Sequence, residues 1–163
     1  MPVPTAVGAS YYGNMPVIRP AKHADFAELT AIWRDAVERT HDFVSAEQID
    51  AWEPKVRNEY LPGLQVWAVE SDGGALIGFA GLDGTKMEML FVSPQAHGQG
   101  IGRSLVEFLA ERLGPLAVDV NEQNPGACTF YRRVGFRQTG RSETDPDGNP
   151  FPILHLAQDG FSA

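Results

Sequence analysis

A strand, a glycine-rich turn and a helix follow one another directly in the middle of this chain, and this order restricts the fold most. The strand-like run covers residues 87–92, the turn 97–102 reads His-Gly-Gln-Gly-Ile-Gly, and a helical pattern covers residues 103–113. Glycines let the backbone bend closely around a ligand, and a helix N-terminus offers N–H groups with partial positive charge. The order therefore predicts a turn that binds a phosphate group.

The simpler interpretation of such a turn is a flexible surface loop before a helix. A P-loop is excluded because Gly-Lys-Ser/Thr is missing, and a Rossmann site is excluded because no acidic residue is suitably placed. A second motif, at residues 124–131, reads Asn-Pro-Gly-Ala-Cys-Thr-Phe-Tyr and follows the next predicted strand. The two motifs together are more specific than either one alone, and they favour ligand binding over a loop.

Hydrophobic periodicity and turn residues predict the remaining elements. Their order is strand, two helices, three strands, helix, strand, helix and two strands. The predicted strands cover residues 16–19, 64–70, 75–82, 87–92, 116–120, 136–142 and 151–157. The predicted helices cover residues 24–39, 46–53, 103–113 and 125–134, and we expect Pro54 to interrupt or end the second one.

The composition indicates one globular domain. The chain has 163 residues, of which 43% are hydrophobic, and this content suits a packed core. Its net charge of -8 disfavours binding to nucleic acid or to an anionic membrane, since both rely on basic patches. The single cysteine, Cys128, excludes an intramolecular disulfide and a cysteine-rich zinc site.

The chain shows neither an apolar span of about 20 residues nor a signal-peptide pattern, so we expect a cytoplasmic protein. Residues 1–14 are rich in proline, glycine and small side chains and lack periodicity. We interpret them as an N-terminal extension, and residues 15–163 as the folded domain.

The glycine-rich turn and the second motif resemble those of the GNAT superfamily of acetyl-CoA-dependent N-acetyltransferases. The family's motif Gln/Arg-x-x-Gly-x-Gly/Ala falls on residues 97–102. Its later motif, Asn-x-x-Ala-x-x-Phe-Tyr followed by Gly-Phe, falls on Asn124, Ala127, Phe130, Tyr131, Gly135 and Phe136. The resemblance covers roughly residue 15 to the end of the chain. It implies an α/β GNAT fold in a single domain, with a mixed, mostly antiparallel seven-stranded sheet flanked by about four helices, and acetyl-CoA as the cosubstrate.

A closer likeness is to the bacterial YjaB-type branch of these acetyltransferases. Four stretches carry it, at residues 31–34, 40–43, 121–124 and 139–143. One departure is His97, which stands where the superfamily usually has arginine or glutamine. A permanent positive charge near the pyrophosphate is lost there, so we expect weaker or more pH-dependent binding of acetyl-CoA.

The resemblance also implies how the cosubstrate is bound. Backbone N–H groups of the turn are expected to bind the pyrophosphate, and the fourth strand is expected to splay from the fifth and pair with the pantetheine arm. Asn124 either bonds the pantetheine or caps the short helix, and Ala127 and Phe130 belong to the same binding motif. The other implied binding residues are Leu90, Phe91 and Val92 in the strand, and His97, Gly98, Gln99, Gly100, Ile101, Gly102, Arg103 and Ser104 in the turn.

Tyr131 is the residue that the resemblance implies as general acid, the group that protonates the leaving thiolate. The alternative is a half-buried tyrosine that packs on the sheet. Cys128 lies three residues before it on the same helical face, and we predict a small buried packing residue there rather than a nucleophile.

Two residues are candidates for the general base that deprotonates the acceptor ammonium. Glu88 is predicted to share a strand face with Leu90 and Val92, near the splay, and the alternative is a solvated carboxylate. His41 follows the first helix, in the region that forms the acceptor pocket in such folds, and the alternative is a structural hydrogen bond at the helix end. Trp33, Phe43 and Trp52 are candidate walls of the acceptor cavity, and His155 is predicted to be structural.

The expected reaction is direct transfer of an acetyl group from acetyl-CoA to a primary amine of a small molecule or peptide, within a ternary complex. The alternative is a non-catalytic module that binds acetyl-CoA or CoA and reports its level. Use of a longer acyl-CoA would depend on the pocket width near Phe91 and Asn124. Nucleic acid, membrane and metal ions are not expected as partners, and homodimer formation is left open.

Overall fold

A seven-stranded sheet forms the centre of the computed structural model, which describes residues 16–162. The strands stand in the order β1-β2-β3-β4-β5-β7-β6. They are β1 Val17–Pro20, β2 Gln65–Glu70, β3 Leu76–Asp83, β4 Lys86–Val92, β5 Ala117–Asn121, β6 Phe136–Ser142 and β7 Ile153–Gln158. Every neighbouring pair is antiparallel except β4 and β5, which are parallel. The expected mixed, mostly antiparallel sheet is therefore confirmed, while the predicted extension at residues 1–14 lies outside the described residues.

Four helices flank the sheet in this part of the chain. They are α1 Phe26–Thr40, α2 Ala46–Lys55, α3 Ile101–Leu113 and α4 Pro125–Arg133. None of the helices within residues 16–162 is long and apolar enough to cross a bilayer. Local signals fix several ends: the Ser45 side chain accepts a hydrogen bond from the Gln48 N–H at 3.2 Å, and Pro125 opens α4 at its first position.

The prediction that Pro54 interrupts or ends the second helix is confirmed only for its regular α-helical part, which ends at Lys55. Pro54 lies inside α2, and the chain stays helical through a π-helical turn, Val56–Tyr60, and a last turn, Leu61–Gly63. A proline removes one backbone donor from the helix, and the wider turn that follows is a common way to absorb such a defect. Burial of Val56 and Leu61, each at most 2% exposed, holds this continuation against the sheet.

Two hydrophobic cores lie on opposite faces of the sheet. One packs α3 and α4 against it, with Leu105, Leu109 and Phe136 fully buried. The other packs α1, α2 and the helical continuation, with Leu29, Leu61 and Phe79 fully buried. The two faces are called the α3/α4 side and the α1/α2 side below.

Candidate active site

The parallel strands β4 and β5 separate in the middle of the sheet. They pair only at Lys86 with Ala117 and at Met87 with Val118. From Glu88 onward β4 no longer pairs with β5, although it continues to pair with β3 as far as Val92. The expected splay is therefore present, and it opens a cleft that reaches both faces of the sheet.

The open edge of β4 carries unpaired backbone groups. Ser93 donates its N–H to the carbonyl of Ile77 in β3 at 2.8 Å. Because peptide groups alternate between the two edges of a strand, Phe91 also turns its backbone to β3, whereas Leu90 and Val92 turn theirs to the cleft. Of the three strand residues in the binding prediction, these two therefore present polar groups to a ligand in the cleft.

The glycine-rich turn lies at the start of α3 and shows a row of N–H groups. Gly98 and Gly100 have φ values of 80° and 76°, in the left-handed region that glycine adopts easily. Among the described residues no side chain caps α3, and its first backbone bond runs from the Ser104 N–H to the Gly100 carbonyl at 2.9 Å. The N–H groups of Ile101, Gly102 and Arg103 find no acceptor within residues 16–162. This arrangement fits a phosphate group.

Close packing holds the turn in place. Ile101 is 5% exposed, and its Cγ2 atom lies 3.4 Å from where a Cβ on Gly78 would stand. A Cβ on Gly102 would lie 3.1 Å from Cζ of Phe130, so the ring of α4 rests directly on the first turn of α3. Arg103 donates from Nη2 to the Arg133 carbonyl at 3.3 Å. The remaining turn residues are solvent-facing, with His97, Gln99 and Gly98 exposed and Ser104 half-buried.

Tyr131 lies on α4, on the α3/α4 side. It is 7% exposed, and its ring makes edge contacts with Phe130 and Phe136 at centroid distances of 5.2 and 5.3 Å. Burial raises the pKa of Tyr131 well above its usual range. The phenol therefore keeps its proton at neutral pH, as a general acid must.

Two further residues of the second motif, Asn124 and Cys128, have structural roles. Asn124 accepts a hydrogen bond from the Ala127 N–H at 3.1 Å, which caps α4. Cys128 is buried, and burial raises the pKa of its thiol. The prediction of a packing residue at Cys128 is confirmed.

A cavity of about 550 Å³ opens on the α1/α2 side, beside the cleft. Its aromatic walls are Trp33, Trp52, Tyr60 and Phe91. Three carboxylates line it as well, those of Glu59, Glu88 and Asp147. The cavity thus combines apolar surface with negative charge, which suits a cationic ligand that has an apolar stem.

Glu88 faces this cavity because β4 contains a bulge. Met89 stands opposite Gly81 and Met87 opposite Leu82, so Glu88 has no partner in β3. The prediction that Glu88 shares a face with Leu90 and Val92 is wrong: those two pack into the α3/α4 core, whereas Glu88 lines the cavity on the other side. The extra residue shifts the alternation of the strand by one. The Glu88 carboxylate is 37% exposed, with Lys86 Nζ at 3.8 Å.

His41, the other candidate base, lies at the C-terminal end of α1 and outside this cavity. Its Nδ1 atom is 2.8 Å from the Thr40 hydroxyl, and its ring packs on Phe43. Burial lowers the pKa of His41, so the imidazole is neutral at neutral pH. Phe43 packs on Phe151 and likewise does not line the cavity, in contrast to Trp33 and Trp52. Glu88 is thus the candidate base that the structure brings to the cleft.

Sequence reasoning missed three cavity residues. Glu59 and Tyr60 reach the cavity because the helix continues past Pro54, and Asp147 reaches it from the connection between β6 and β7. Residues 145–148 carry a turn signal, but no signal places Asp147, Glu59 or Tyr60 in the cavity, since their position depends on how these segments pack over the sheet.

Comparisons with known proteins agree with this geometry. A family model described as an acetyltransferase (GNAT) domain matches residues 30–152. The chain belongs to this family. This GNAT acetyltransferase is 43% identical over 143 residues to the peptidyl-lysine N-acetyltransferase YjaB of Escherichia coli. The matched region covers 88% of this chain and 97% of that protein.

A more distant GNAT relative is the peptidyl-lysine N-acetyltransferase YiaC of Escherichia coli, 31% identical over 121 residues, or 74% of this chain and 82% of that one. The solution structure of apo-form YjaB from Escherichia coli has a TM-score of 0.82 at 42% identity and covers 90% of this chain and 99% of that chain. The GNAT fold and the likeness to the YjaB-type branch are confirmed.

Proposed function

We propose that the protein transfers an acetyl group from acetyl-CoA directly to the side-chain amine of a peptide lysine, within a ternary complex. The observation that carries the proposal is the cleft between β4 and β5. It lies between a row of backbone N–H groups on one side of the sheet and a carboxylate-lined cavity on the other. Direct transfer requires that donor and acceptor meet from two directions, and the cleft supplies them.

The described residues fit acetyl-CoA, which supplies the acetyl thioester. The N–H groups of Ile101, Gly102 and Arg103 would hold the pyrophosphate, because they have no acceptor within residues 16–162 and lie at a helix N-terminus. The backbone of Leu90 and Val92 would pair with the pantetheine arm as an added strand does. Held in this way, the thioester is positioned mainly by main-chain groups.

The cavity fits a lysine side chain as acceptor. Trp33, Trp52 and Phe91 provide apolar surface for the methylene groups, and Glu88 provides a counter-charge for the ammonium. The relatives YjaB and YiaC are named as peptidyl-lysine acetyltransferases, which supports a lysine in a peptide over a free amine.

Two side chains would move the protons. Glu88 takes a proton from the lysine ammonium, directly or through water, which frees the lone pair that attacks the thioester carbonyl. Tyr131 gives its proton to the departing thiolate, and its raised pKa ensures that the proton is present at neutral pH. The two groups act from opposite faces of the sheet, so neither neutralises the other before transfer.

The test is release of free thiol from acetyl-CoA in the presence of a lysine-containing peptide, with both substrates varied. A ternary complex predicts intersecting double-reciprocal lines, whereas an acetylated-enzyme route predicts parallel lines. The control is the same peptide with arginine in place of lysine, which should release no thiol. Saturable binding of acetyl-CoA without release for any amine would overturn the proposal in favour of a cosubstrate-sensing module.

We also infer that residues 15–163 act as one catalytic domain in the cytoplasm. Support comes from the lone buried thiol of Cys128, which has no disulfide partner in the sequence. Fractionation of cells that produce the tagged protein tests this, and recovery from the periplasm or outside the cell would contradict it.

A further inference from the structure

A second group of reactive side chains lies on the α1/α2 side of β5, β7 and β6. The hydroxyl oxygen of Ser142 is 2.7 Å from Nε2 of His155, and Nδ1 of the same ring is 2.7 Å from Oδ1 of Asp119. The other carboxylate oxygen of Asp119 lies 2.9 Å from Lys86 Nζ. Neither the acetyl-CoA turn nor the lysine cavity contains Ser142, His155 or Asp119.

The sheet register explains how three residues so far apart in sequence meet. Asp119 in β5 and His155 in β7 are direct partners, and His155 stands opposite Gly140 in β6. Cδ2 of His155 lies 3.4 Å from where a Cβ on Gly140 would stand, so the ring passes directly over this glycine. It therefore reaches Ser142, two residues further along the same face of β6.

The hydrogen bonds determine which atoms carry protons. The Asp119 carboxylate is an acceptor, so the ring donates Nδ1–H to it, and in the neutral imidazole Nε2 then carries the lone pair. The Ser142 hydroxyl then donates its proton to Nε2. In this arrangement a carboxylate orients an imidazole, and the imidazole accepts the proton of a serine hydroxyl. The same arrangement activates serine nucleophiles in enzymes, whatever the order of the three residues in the chain.

We propose that Ser142, His155 and Asp119 form a second catalytic site, which hydrolyses small activated esters through an acyl-serine. A cavity of about 810 Å³ is lined by Asp119, His155 and Thr139, so it gives access to the imidazole. Ser142 is not among the lining residues and lies half-buried next to that ring. The His155 side chain is 38% exposed, so solvent and a small ester reach the ring.

The chemistry balances without a further reactant. The Ser142 oxygen forms a bond to the ester carbonyl carbon while its proton passes to Nε2 of His155. The bond to the alkoxy oxygen breaks, and that oxygen takes the proton from His155 and leaves as an alcohol. Water then attacks the acyl-serine and gives its proton to His155, which returns it to the Ser142 oxygen, so that a carboxylic acid leaves.

The first experiment measures hydrolysis of p-nitrophenyl acetate by the full chain. We expect Ser142→Ala and His155→Gln each to lower the enzyme-dependent rate by about 100-fold, at the lower end of what general-base assistance contributes. Ser71→Ala, in the turn between β2 and β3, is the matched control and should keep the rate. A Ser142→Ala rate within about twofold of the unsubstituted protein would overturn the proposal, since this variant has no oxygen on which an acyl-serine could form.

A second experiment does not depend on the variants folding. The unsubstituted protein is treated with an alkyl fluorophosphonate and digested, and the adduct is located by mass spectrometry. We expect the adduct on Ser142, with slower labelling of Asp119→Asn; an adduct on any other residue, or none, overturns the proposal. Thiol release from acetyl-CoA with the lysine peptide is assayed in parallel. An absence of ester hydrolysis would then contradict only the second site, and the acetyl-transfer result would be judged separately.

Discussion

The two sides of the cleft use different parts of the polypeptide. On the α3/α4 side, the polar groups that face the cleft belong to the main chain, at Leu90, Val92 and the first turn of α3, and the side chains there are mostly buried. On the α1/α2 side, aromatic rings and carboxylates line the cavity. Main-chain recognition depends on where glycines allow close approach, whereas the cavity depends on which side chains the packing brings together.

Because the two sides differ in this way, we expect substitutions on them to affect different substrates. Changes on the α3/α4 side should alter the binding of acetyl-CoA or the protonation of the departing thiolate. Changes on the α1/α2 side should alter the binding or the deprotonation of the amine. The four variants below test that division, beginning with the largest effect.

Tyr131→Phe removes the proposed acid and keeps the ring in its aromatic contacts. We expect kcat to fall by about 1000-fold, within the range for general acid catalysis, and acetyl-CoA binding to stay unchanged. Because burial raises the pKa of Tyr131 above the ordinary value of about 10, the unsubstituted enzyme should show no loss of rate from this group up to that pH. Thiol-release kinetics and calorimetric titration measure both quantities. Undiminished turnover would remove Tyr131 from this role.

Glu88→Gln removes the proposed base on the opposite side. We expect kcat to fall by about 100-fold at neutral pH with little change in KM for acetyl-CoA, because deprotonation of the ammonium becomes limiting. Glu59→Gln is the matched control, a second carboxylate of the same cavity, and should change KM for the peptide more than kcat. Equal losses of kcat in the two variants would show that the cavity needs negative charge and no specific base.

Gly102→Ala places a methyl group 3.1 Å from Cζ of Phe130. The ring or the start of α3 must shift, which disturbs the row of N–H groups, and we expect KM for acetyl-CoA to rise about tenfold, equivalent to roughly 1.4 kcal/mol. The control is Gly73→Ala, where no atom lies within 4 Å of the added methyl group. A normal KM for acetyl-CoA in the folded Gly102→Ala protein would contradict pyrophosphate binding at this turn.

His97→Arg restores the permanent charge that the superfamily usually has at this position. The side chain is exposed, so we expect a gain of only about twofold to fivefold in affinity for acetyl-CoA, as for a surface ion pair. His97→Gln tests the other common residue and should change affinity less. Titration at low and high salt separates the charge effect, which salt should weaken.

The sequence was sufficient for the features that depend on local chemistry. Glycines at 98 and 100 marked the turn because both occupy left-handed conformations, and Ser45 marked the start of α2 because it caps the helix. The mixed, mostly antiparallel seven-stranded sheet and the splay followed from the family resemblance. These features depend on one residue and its near neighbours, or on a motif that many proteins share.

Features that depend on register could not be predicted. The alternation Met-Glu-Met suggests a regular strand, and only the pairing of β4 with β3 reveals that Glu88 is an added residue. Asp119, Ser142 and His155 lie on three strands and form no motif, and they meet because β5, β7 and β6 align them. Pro54 signals a helix end, yet burial of the following turns outweighs the missing donor.

The bulge at Glu88 also makes the enzyme vulnerable in a particular way. In an uninterrupted ladder counted back from Val92, the carboxylate would point to the α3/α4 side, and the thioether of Met87 would point to the α1/α2 side instead. A slip by one residue that straightened the bulge at unchanged length would thus exchange the two side chains without altering fold class or composition. The pairing of β4 with β3, and not the sequence of β4 alone, therefore decides which side chain the cavity receives.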